Sequence, residues 1–292
     1  MKGSVGAILC AALCAASQLS AQDLSLSLTS RFDDNLGFAR ASADVVEDIS
    51  VRTDANLSWH RQLDVRTSVD IRTSLALEHY LRTDDFDTAT LQASFSLNRK
   101  IGLGSGLSKP LLAIEGNLGW LESQERFRSG LPYGVKLSAR SRLSNQAVFS
   151  YRASWSGFEP ATTYQVPVGV TQRGDAWRWK LLELGATYAV PLSERWGASF
   201  DMAAYDGNLV FSTRSTNMLN NIGQARAPDH ALGDTFYAYR VEGKAWQSSL
   251  VLGFVPAPGQ QIQLALGRLF GRSDAGIDYD RTWLELGWTR EF

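Results

Sequence analysis

The sequence predicts an all-β fold, a single antiparallel up-and-down β-barrel of about twelve strands that spans a membrane. Three observations lead to this prediction. Long segments alternate between apolar and polar residues, the links between segments alternate between short and long, and aromatic residues gather near both segment ends. Together these features are typical of transmembrane barrels, whose strands face lipid on one side and a polar lumen on the other.

Residues 1–21 predict a secretory signal peptide that is not part of the fold. One basic residue, Lys2, precedes an apolar run from Val5 to Ala16, and small and polar residues follow up to a predicted cleavage site after Ala21. Such a charged start, short apolar run and small-residue end are the features of an export signal. We therefore expect an exported chain of residues 22–292 that folds as one barrel domain.

Composition narrows the possible functions of the exported chain. Both cysteines, Cys10 and Cys14, lie inside the predicted signal peptide, so stability cannot depend on disulfides. Without Lys2, 28 of the 29 basic residues remain against 30 acidic ones, a formal charge of −2 that gives no support for a nucleic-acid partner. The three histidines have no metal-ligand spacing, which argues against zinc, and no cofactor is expected.

The clearest alternation runs from Asp64 to Leu81. From Asp64 to Glu78 its odd positions are apolar residues or threonine, and nearly all its even positions are charged or polar. Period two specifies a strand with two different faces, and this segment suits a tilted transmembrane strand, which needs about 9–11 residues in the hydrocarbon. Twelve segments follow the pattern: 23–36, 47–62, 64–81, 86–99, 111–121, 133–143, 146–157, 176–190, 195–212, 236–256, 260–271 and 279–292.

The tenth segment breaks the alternation. Arg240, Glu242 and Lys244 share their parity with apolar residues such as Trp246 and Leu250. An extra residue in one strand of an antiparallel pair would restore the alternation. The sequence therefore predicts a bulge near Gly243.

Link lengths and aromatic positions predict how the barrel lies in the membrane. Short links such as 144–145 alternate with long links such as 158–175 and 213–235, which predicts periplasmic turns, extracellular loops and both termini on the periplasmic side. We expect aromatic belts at both interfaces. The periplasmic belt would contain Trp59, Tyr188, Trp196 and Trp288, and the extracellular belt Trp120, Tyr133, Trp155, Trp177, Tyr237 and Phe270.

The last segment ends on Phe292. Every second residue before it is Arg290, Trp288, Leu286 and Leu284. This pattern resembles the C-terminal strand of Gram-negative outer-membrane β-barrel proteins, in which a terminal Phe after alternating apolar residues is read by the barrel-assembly machinery. The resemblance implies an assembly signal at Phe292, Trp288 and Leu286. It also implies location in the bacterial outer membrane, with outer-membrane lipid and the assembly machinery as partners.

Charged residues on the polar parity predict two features of the lumen. The first is a basic wall on the sixth and seventh segments, formed by Lys136, Arg140, Arg142 and Arg152. This pair of segments offers no lumen carboxylate, so neutralisation would come from across the lumen, from a plugging loop or from passing anions. The second feature is a mixed-charge ladder of Arg52, Asp54, Asp64, Arg66, Asp70 and Arg72. The basic wall resembles that of narrow sugar-acid porins with the same strand number.

Three functions are compatible with these patterns. The favoured one is a passive channel for small polar or anionic solutes, because rings and walls of charge select ions in pores. The second is a non-conducting structural or surface-binding barrel that acts through its long loops. The third is a rim hydrolase, for which the sequence offers Asp84-Asp85, Asp229-His230, Ser58 with His60, and His79. None of these completes a triad of nucleophile, base and orienting group, so we expect a non-enzyme.

Overall fold

A computed structural model describes residues 22–39, 41–102, 104, 106–143, 146–164, 175–214 and 223–292. The predicted signal peptide, with its cleavage site, lies outside the described residues. Within them, thirteen strands form one antiparallel sheet. The strands are β1 Gln22–Asp33, β2 Asp48–Gln62, β3 Thr67–Tyr80, β4 Thr88–Lys100, β5 Leu111–Ser123, β6 Gly130–Arg142, β7 Val148–Pro160, β8 Trp179–Pro191, β9 Trp196–Thr213, β10 Ala225–Pro228, β11 Tyr237–Phe254, β12 Gln260–Ser273 and β13 Asp278–Glu291.

Twelve of these strands close into a barrel. Each strand pairs with the next along the chain, β9 pairs with β11 directly, and β13 returns to pair with β1 from Ser25↔Glu291 to Asp33↔Trp283. The predicted fold class is therefore confirmed. Each predicted segment corresponds to one barrel strand with bounds shifted by a few residues, and the short β10, which pairs only with β11, is an addition that the sequence pattern did not predict.

The outward face of the barrel is apolar. On β12, for example, Ile262, Leu264 and Leu266 point outward and are each more than a third exposed. Single exposed apolar side chains are ordinary, but a continuous apolar band around a closed barrel is the surface that contacts hydrocarbon in transmembrane barrels. The described residues contain four short 3-10 turns, and no helix among them has the length and apolar character to cross a membrane.

The two ends of the barrel differ. At one end, here called the short-turn end, lie the start of β1 at Gln22, the end of β13 at Glu291 and compact links such as residues 192–195 and 255–259. The opposite long-loop end carries longer connections, of which residues 34–39, 41–47, 161–164, 175–178 and 223–236 are described. Outward-facing aromatic residues lie near both ends of the strands, as predicted for the two belts, with two exceptions. Trp177 is buried among the loops, and Tyr237 shares the lumen-facing parity, because the chain around them folds inward.

The hairpin of β9 and β11 extends beyond its neighbours. Pairing of β8 with β9 ends at Leu181↔Gly207, and pairing of β11 with β12 ends at Gly243↔Ser273. Between β9 and β11 the register is unbroken from Tyr237↔Thr213 to Phe254↔Trp196, so the predicted bulge at Gly243 is wrong. The alternation fails because Arg240 and Glu242 lie on the extension, where the outward face contacts loops, while Lys244 is the second residue inside the β11–β12 pairing. Arg240 donates to the carbonyl oxygen of Asp175 at 3.2 Å.

Candidate solute pathway through the barrel

The lumen is polar and contains two cavities along the wall formed by β13, β1, β2 and β3. The upper cavity, near the long-loop end, has a volume of about 430 Å³ and is lined by Thr29, Arg31, Asp33, Ser50, Arg52, Asp54, Glu78, Tyr80, Arg281 and Glu285. The lower cavity, at the short-turn end, has a volume of about 500 Å³ and is lined by Asp23, Leu24, Ser25, Asn56, Ser58, Arg72, Glu291 and Phe292. The period-two pattern puts the polar and charged side chains of both linings inside, because β1 turns its odd residues and β2 its even residues to the lumen. Leu24 and Phe292 have the outward parity and border the lower cavity at the rim of the barrel.

Part of the mixed-charge ladder is present as ion pairs. Arg52 donates to Asp54 at 2.8 Å and lies 4.0 Å from Glu78, and Asp70 contacts His60 at 2.6 Å. Arg72 lines the lower cavity. These residues project from adjacent strands into one lumen wall, as the alternation predicts.

Asp64 and Arg66 do not belong to this ladder. β3 begins at Thr67 rather than at Asp64, so both residues lie in the turn after β2. The Asp64 carboxylate accepts the backbone N–H groups of Arg66 at 2.7 Å and Thr67 at 3.0 Å. These hydrogen bonds stabilise the ionised form and lower the pKa of Asp64. The alternation continues through the turn by chance, because a hydrogen-bonded aspartate turn uses polar residues at the same positions.

A second charged group at the top of the upper cavity escaped the sequence analysis. Arg281 on β13 forms an ion pair with Asp33, which also accepts from Arg31 at 3.0 Å. The Arg31 guanidinium lies 4.9 Å from the ring centroid of Trp283. The alternation alone would have identified Arg31 and Arg281 as lumen-facing residues, since both occupy lumen positions of predicted strands. Their shared partner, Asp33, follows only from the pairing of β13 with β1.

The basic wall is neutralised in part, by a route that was not foreseen. Lys136 contacts Glu115 on the neighbouring β5 at 2.7 Å. Arg152 pairs with Glu183 on β8 and with Asp201 on β9, the latter at 2.7 Å. Neutralisation thus comes from strands one or two positions away in the same wall, not from across the lumen. The predicted sources were the far side of the lumen, a plugging loop or passing anions; carboxylates on the flanking strands of the same wall were not among them.

Arg140 and Arg142 are the remaining members of the basic wall. Both face the lumen at the short-turn end of β6 and both are exposed. In the described part of the chain neither guanidinium has an ion-pair partner. Lys100 lies at the same end on β4, and it was missed because the predicted strand stopped at residue 99. The short-turn end of this side of the lumen is therefore electropositive, while Asp23 and Glu291 line the cavity on the facing side.

The long-loop end is covered by packed loops, which we call the cap. Three apolar clusters hold it together. One joins Leu209, Phe211, Tyr239 and Val241 of the extended hairpin to Ile277 and Tyr279; a second joins Ala227 and Ala238 to Phe127, Phe158 and Trp177; a third joins Ala231 to Leu36 and Phe86. The mouth of the lumen is thus spanned by chain from several loops.

The contacts of the hairpin cross the barrel. In the ring of twelve strands, the β9–β11 junction lies six strands from the β3–β4 junction, which is half-way around. Nevertheless Ala231, between β10 and β11, packs against Phe86, between β3 and β4. Such a contact is possible only if the segment folds inward over the mouth.

An ion pair at the centre of the cap is nearly dry. The Asp229 carboxylate is fully buried and accepts from Arg128 at 2.8 Å and from the Ser212 hydroxyl. The Arg128 guanidinium also lies 4.0 Å from the ring centroid of Phe86 and 4.4 Å from that of Trp177. A buried ion pair with complete hydrogen bonding fixes a geometry, because removing either partner leaves an unpaired charge without water.

The hydrolase candidates have structural partners. Asp229 is engaged with Arg128, while His230 lies 3.7 Å from Asp234. His79 contacts Asp87 at 2.7 Å on the outward side of β3. Such a pair has a base and an orienting carboxylate, but no nucleophile contacts it among the described residues. No group of three or more potential metal ligands occurs among them either.

The three residues of the predicted assembly signal lie where the alternation predicts. Trp288 and Leu286 point outward from β13, and the Phe292 amide donates to the carbonyl oxygen of Leu24 at 2.9 Å. The last residue therefore continues the β13–β1 seam. This placement is also that of an ordinary outward aromatic residue.

The sequence matches no protein-family profile and no curated protein. Among solved structures, an outer membrane channel from Pseudomonas putida F1 superposes with a TM-score of 0.58 at 10% identity, over 94% of this chain and 96% of that one. The NanC porin gives 0.48 at 10% identity, over 91% and 98%, and the beta domain of the Bordetella autotransporter BrkA gives 0.47 at 9% identity, over 94% and 100%. The chain thus has the transmembrane-barrel fold found in bacterial outer-membrane proteins. At these identities the likeness extends to the fold alone.

Proposed function

We propose that the protein is a passive channel for small polar or anionic solutes in a bacterial outer membrane. The observation that carries this proposal is the charged lumen with two cavities and two guanidinium groups, of Arg140 and Arg142, that lack a partner in the described chain. Fixed cations at a pore end raise the local concentration of anions. Lys136 and Arg152 contribute less, because Glu115, Glu183 and Asp201 neutralise them.

Planar-bilayer recording tests the selectivity. Replacing Arg140 and Arg142 by Gln should shift the reversal potential in a salt gradient toward that of a cation-selective pore. The shift should shrink in concentrated salt, since the Debye length falls from about 10 Å at 0.1 M to about 3 Å at 1 M. The control is Glu115→Gln with Lys136→Gln, which removes an ion pair without changing the net charge. Unchanged selectivity in the arginine variant would refute the assigned role of these residues.

A non-conducting barrel that acts through its surface loops is the second candidate. The packed cap favours it, because loops ordered across the mouth present a fixed surface and obstruct the lumen. The two functions differ in one measurement. If neither the whole chain nor a variant without the extended part of the β9–β11 hairpin conducts ions, the channel proposal fails and the surface-binding function replaces it.

We infer that the short-turn end faces the periplasm and the long-loop end faces the cell exterior. The supporting observation is the sorting of compact links and termini to one end, as in bacterial barrels. An epitope inserted at Ala275 should bind antibody on intact cells, and one at Pro258 should bind only after permeabilisation. The reverse pattern would overturn the orientation.

We propose that Phe292, Trp288 and Leu286 are read by the barrel-assembly machinery. Phe292→Ser should lower the amount of assembled barrel in cells, with little effect on refolding of the purified chain in detergent. A matched substitution at another exposed outward residue, Leu284→Ser, should have a smaller effect in cells. Equal effects of both variants in cells would argue against a signal at the last residue.

A further inference from the structure

We propose that the extended part of the β9–β11 hairpin is a gate for the outer mouth of the lumen, and that the described arrangement is its closed state. The gate, here called the cap hairpin, consists of residues 208–214 and 223–242. This inference concerns the regulation of the pathway and therefore rests on the proposed channel function.

The cap hairpin bends away from the wall at a pair of glycines. Gly207 and Gly243 face each other across the two strands, at the level where β8 and β12 stop pairing. Gly207 has a φ of 140°, a conformation that other residues rarely adopt. A Cβ atom at either glycine would lie 2.5 Å from a carbonyl oxygen of the flanking strand, of Lys180 and Arg272 respectively. The sequence thus places the two glycines where the hairpin leaves the barrel.

Movement about this hinge would leave the barrel ladder intact. Beyond Gly207 and Gly243, the cap hairpin has no strand pairing with β8 or β12. Its only further strand partner in the described chain is β10, which pairs with Tyr237–Arg240 and belongs to the same hairpin. Opening would therefore leave the strand ladders of the wall intact. It would break loop contacts and strain two hydrogen bonds next to the hinge, from the Lys180 N–H to the Asn208 side chain at 3.1 Å and from the Asp274 N–H to the Glu242 carbonyl oxygen at 2.9 Å.

The contacts that hold the hairpin down are concentrated in a few places. The Ser212 N–H donates to the Gly37 carbonyl oxygen at 2.7 Å, and the Thr213 hydroxyl donates to Asp44. From the loop between β5 and β6, four strands away around the ring, Arg128 holds Asp229. These bonds join the hairpin to loops that follow β1 and β5, so they act as latches across the opening.

The region below the hairpin shows what a gate would control. The upper cavity of about 430 Å³ ends at Asp33, Tyr80 and Arg281. Arg281 stacks on Phe38 at 4.9 Å, and Phe38 packs against the cluster that contains Phe211 and Tyr239 of the hairpin. Lifting the hairpin would expose the top of this cavity to the exterior.

A reversible disulfide tests the gate. A Cβ atom placed on Gly37 would lie 3.6 Å from the Cβ of Ser212, within the range of about 3.5–4.5 Å that disulfides require. It would also approach Leu232 Cδ1 at 2.8 Å, the end of a flexible side chain that can move aside. The chain has no cysteine from residue 22 onward, so Gly37→Cys with Ser212→Cys introduces a single thiol pair.

A second pair provides the matched control. A Cβ atom on Gly134 would lie 3.4 Å from the Cβ of Ser156, and these residues pair directly within the wall between β6 and β7. Gly134→Cys with Ser156→Cys therefore adds the same chemistry at a place that cannot restrain the hairpin. The single Gly37→Cys and Ser212→Cys variants control for loss of the Ser212 hydroxyl.

The expected result is a redox-dependent conductance in planar bilayers. Oxidation of the Gly37–Ser212 pair should lower the open probability at least tenfold, and dithiothreitol should restore it, whereas the wall pair should conduct equally in both states. If the oxidised Gly37–Ser212 pair conducts as well as the reduced protein, the hairpin is not the gate.

A shortened barrel separates failure of the gate from failure of the channel. In this variant an Asn-Gly turn replaces residues 208–242, so that Gly207 and Gly243 end a tight hairpin. Conductance in the shortened barrel combined with silence of the whole chain in both redox states would mean a fixed plug, and the gate proposal would fail alone. Silence of the shortened barrel as well would refute the channel function on which the gate rests.

Discussion

The wall and the cap of this barrel are stabilised in different ways. In the wall, residues that are neighbours in sequence point to opposite faces of the sheet. A wall strand such as β4 forms hydrogen-bonded ladders with the strands on both sides of it. In the cap, residues distant in sequence meet: Arg128 and Asp229 are 101 positions apart, and Thr213 and Asp44 are 169 positions apart. The wall is therefore determined by a repeated local pattern, whereas the cap depends on a few specific long-range contacts. A single substitution should therefore destabilise one of the two regions and leave the other stable.

The largest effect is expected for Arg128→Ala. It leaves the Asp229 carboxylate buried without its cation, a change that typically costs about 3–5 kcal/mol. The loss should appear as faster hydrogen exchange of amides in the cap, while the barrel keeps its resistance to unfolding in detergent. The exposed pair of Arg268 and Asp280 supplies the control, since Arg268→Ala should cost at most about 1 kcal/mol. If the cap amides exchange hydrogen equally fast in Arg128→Ala and Arg268→Ala, the Arg128–Asp229 ion pair does not stabilise the cap.

Leu266→Arg should break the wall instead. Leu266 points outward, midway along β12 between Ile262, which pairs with Trp288, and Phe270, which pairs with Trp246. An arginine at the bilayer midplane of a barrel costs about 2–4 kcal/mol. Ala265→Arg is the matched control, because the neighbouring position faces the lumen opposite Glu285. Equal free energies of unfolding in a lipid-refolding titration would contradict the assignment of faces.

A smaller effect in the wall is expected for Gly267→Ala. The Trp283 ring lies directly over Gly267, in the space that a Cβ atom would occupy. Forcing a methyl group into such a packed site typically costs about 1–3 kcal/mol. At Gly287 a Cβ atom would meet only the Thr29 hydroxyl at 3.5 Å, an ordinary contact. Gly287→Ala should therefore be nearly neutral in the same unfolding titration, and an equal loss at both glycines would rule out the packing explanation.

The smallest effect concerns pH and the turn after β2. The pKa of Asp64 is lowered by its hydrogen bonds, so its stabilising contribution exists above the unfolded pKa of about 3.9 and is lost as pH falls through the lower folded value. Asp64→Asn should therefore reduce the unfolding midpoint slightly at pH 7. It should leave the midpoint unchanged once the aspartate is protonated. A difference between the two proteins that does not change with pH would exclude the charge as its cause.

The sequence by itself determined the wall. Period-two alternation placed Leu266 outward and Arg140 and Arg142 inward, and link lengths assigned the two ends, because a strand's faces depend only on its own residues. The turn containing Asp64 and Arg66 shows where this reasoning fails, since polar turn residues can extend the alternation beyond a strand.

Only the tertiary structure decided which charges are paired and what covers the mouth. Lys136 and Arg152 contact Glu115, Glu183 and Asp201 on strands one or two positions away, and those partners depend on the register between strands. The broken alternation at Gly243 was visible in the sequence, but both a bulge and an inward bend could explain it. Closure of the barrel selects the bend, because the hairpin extends beyond β8 and β12 and can bury its apolar residues only by folding across the mouth.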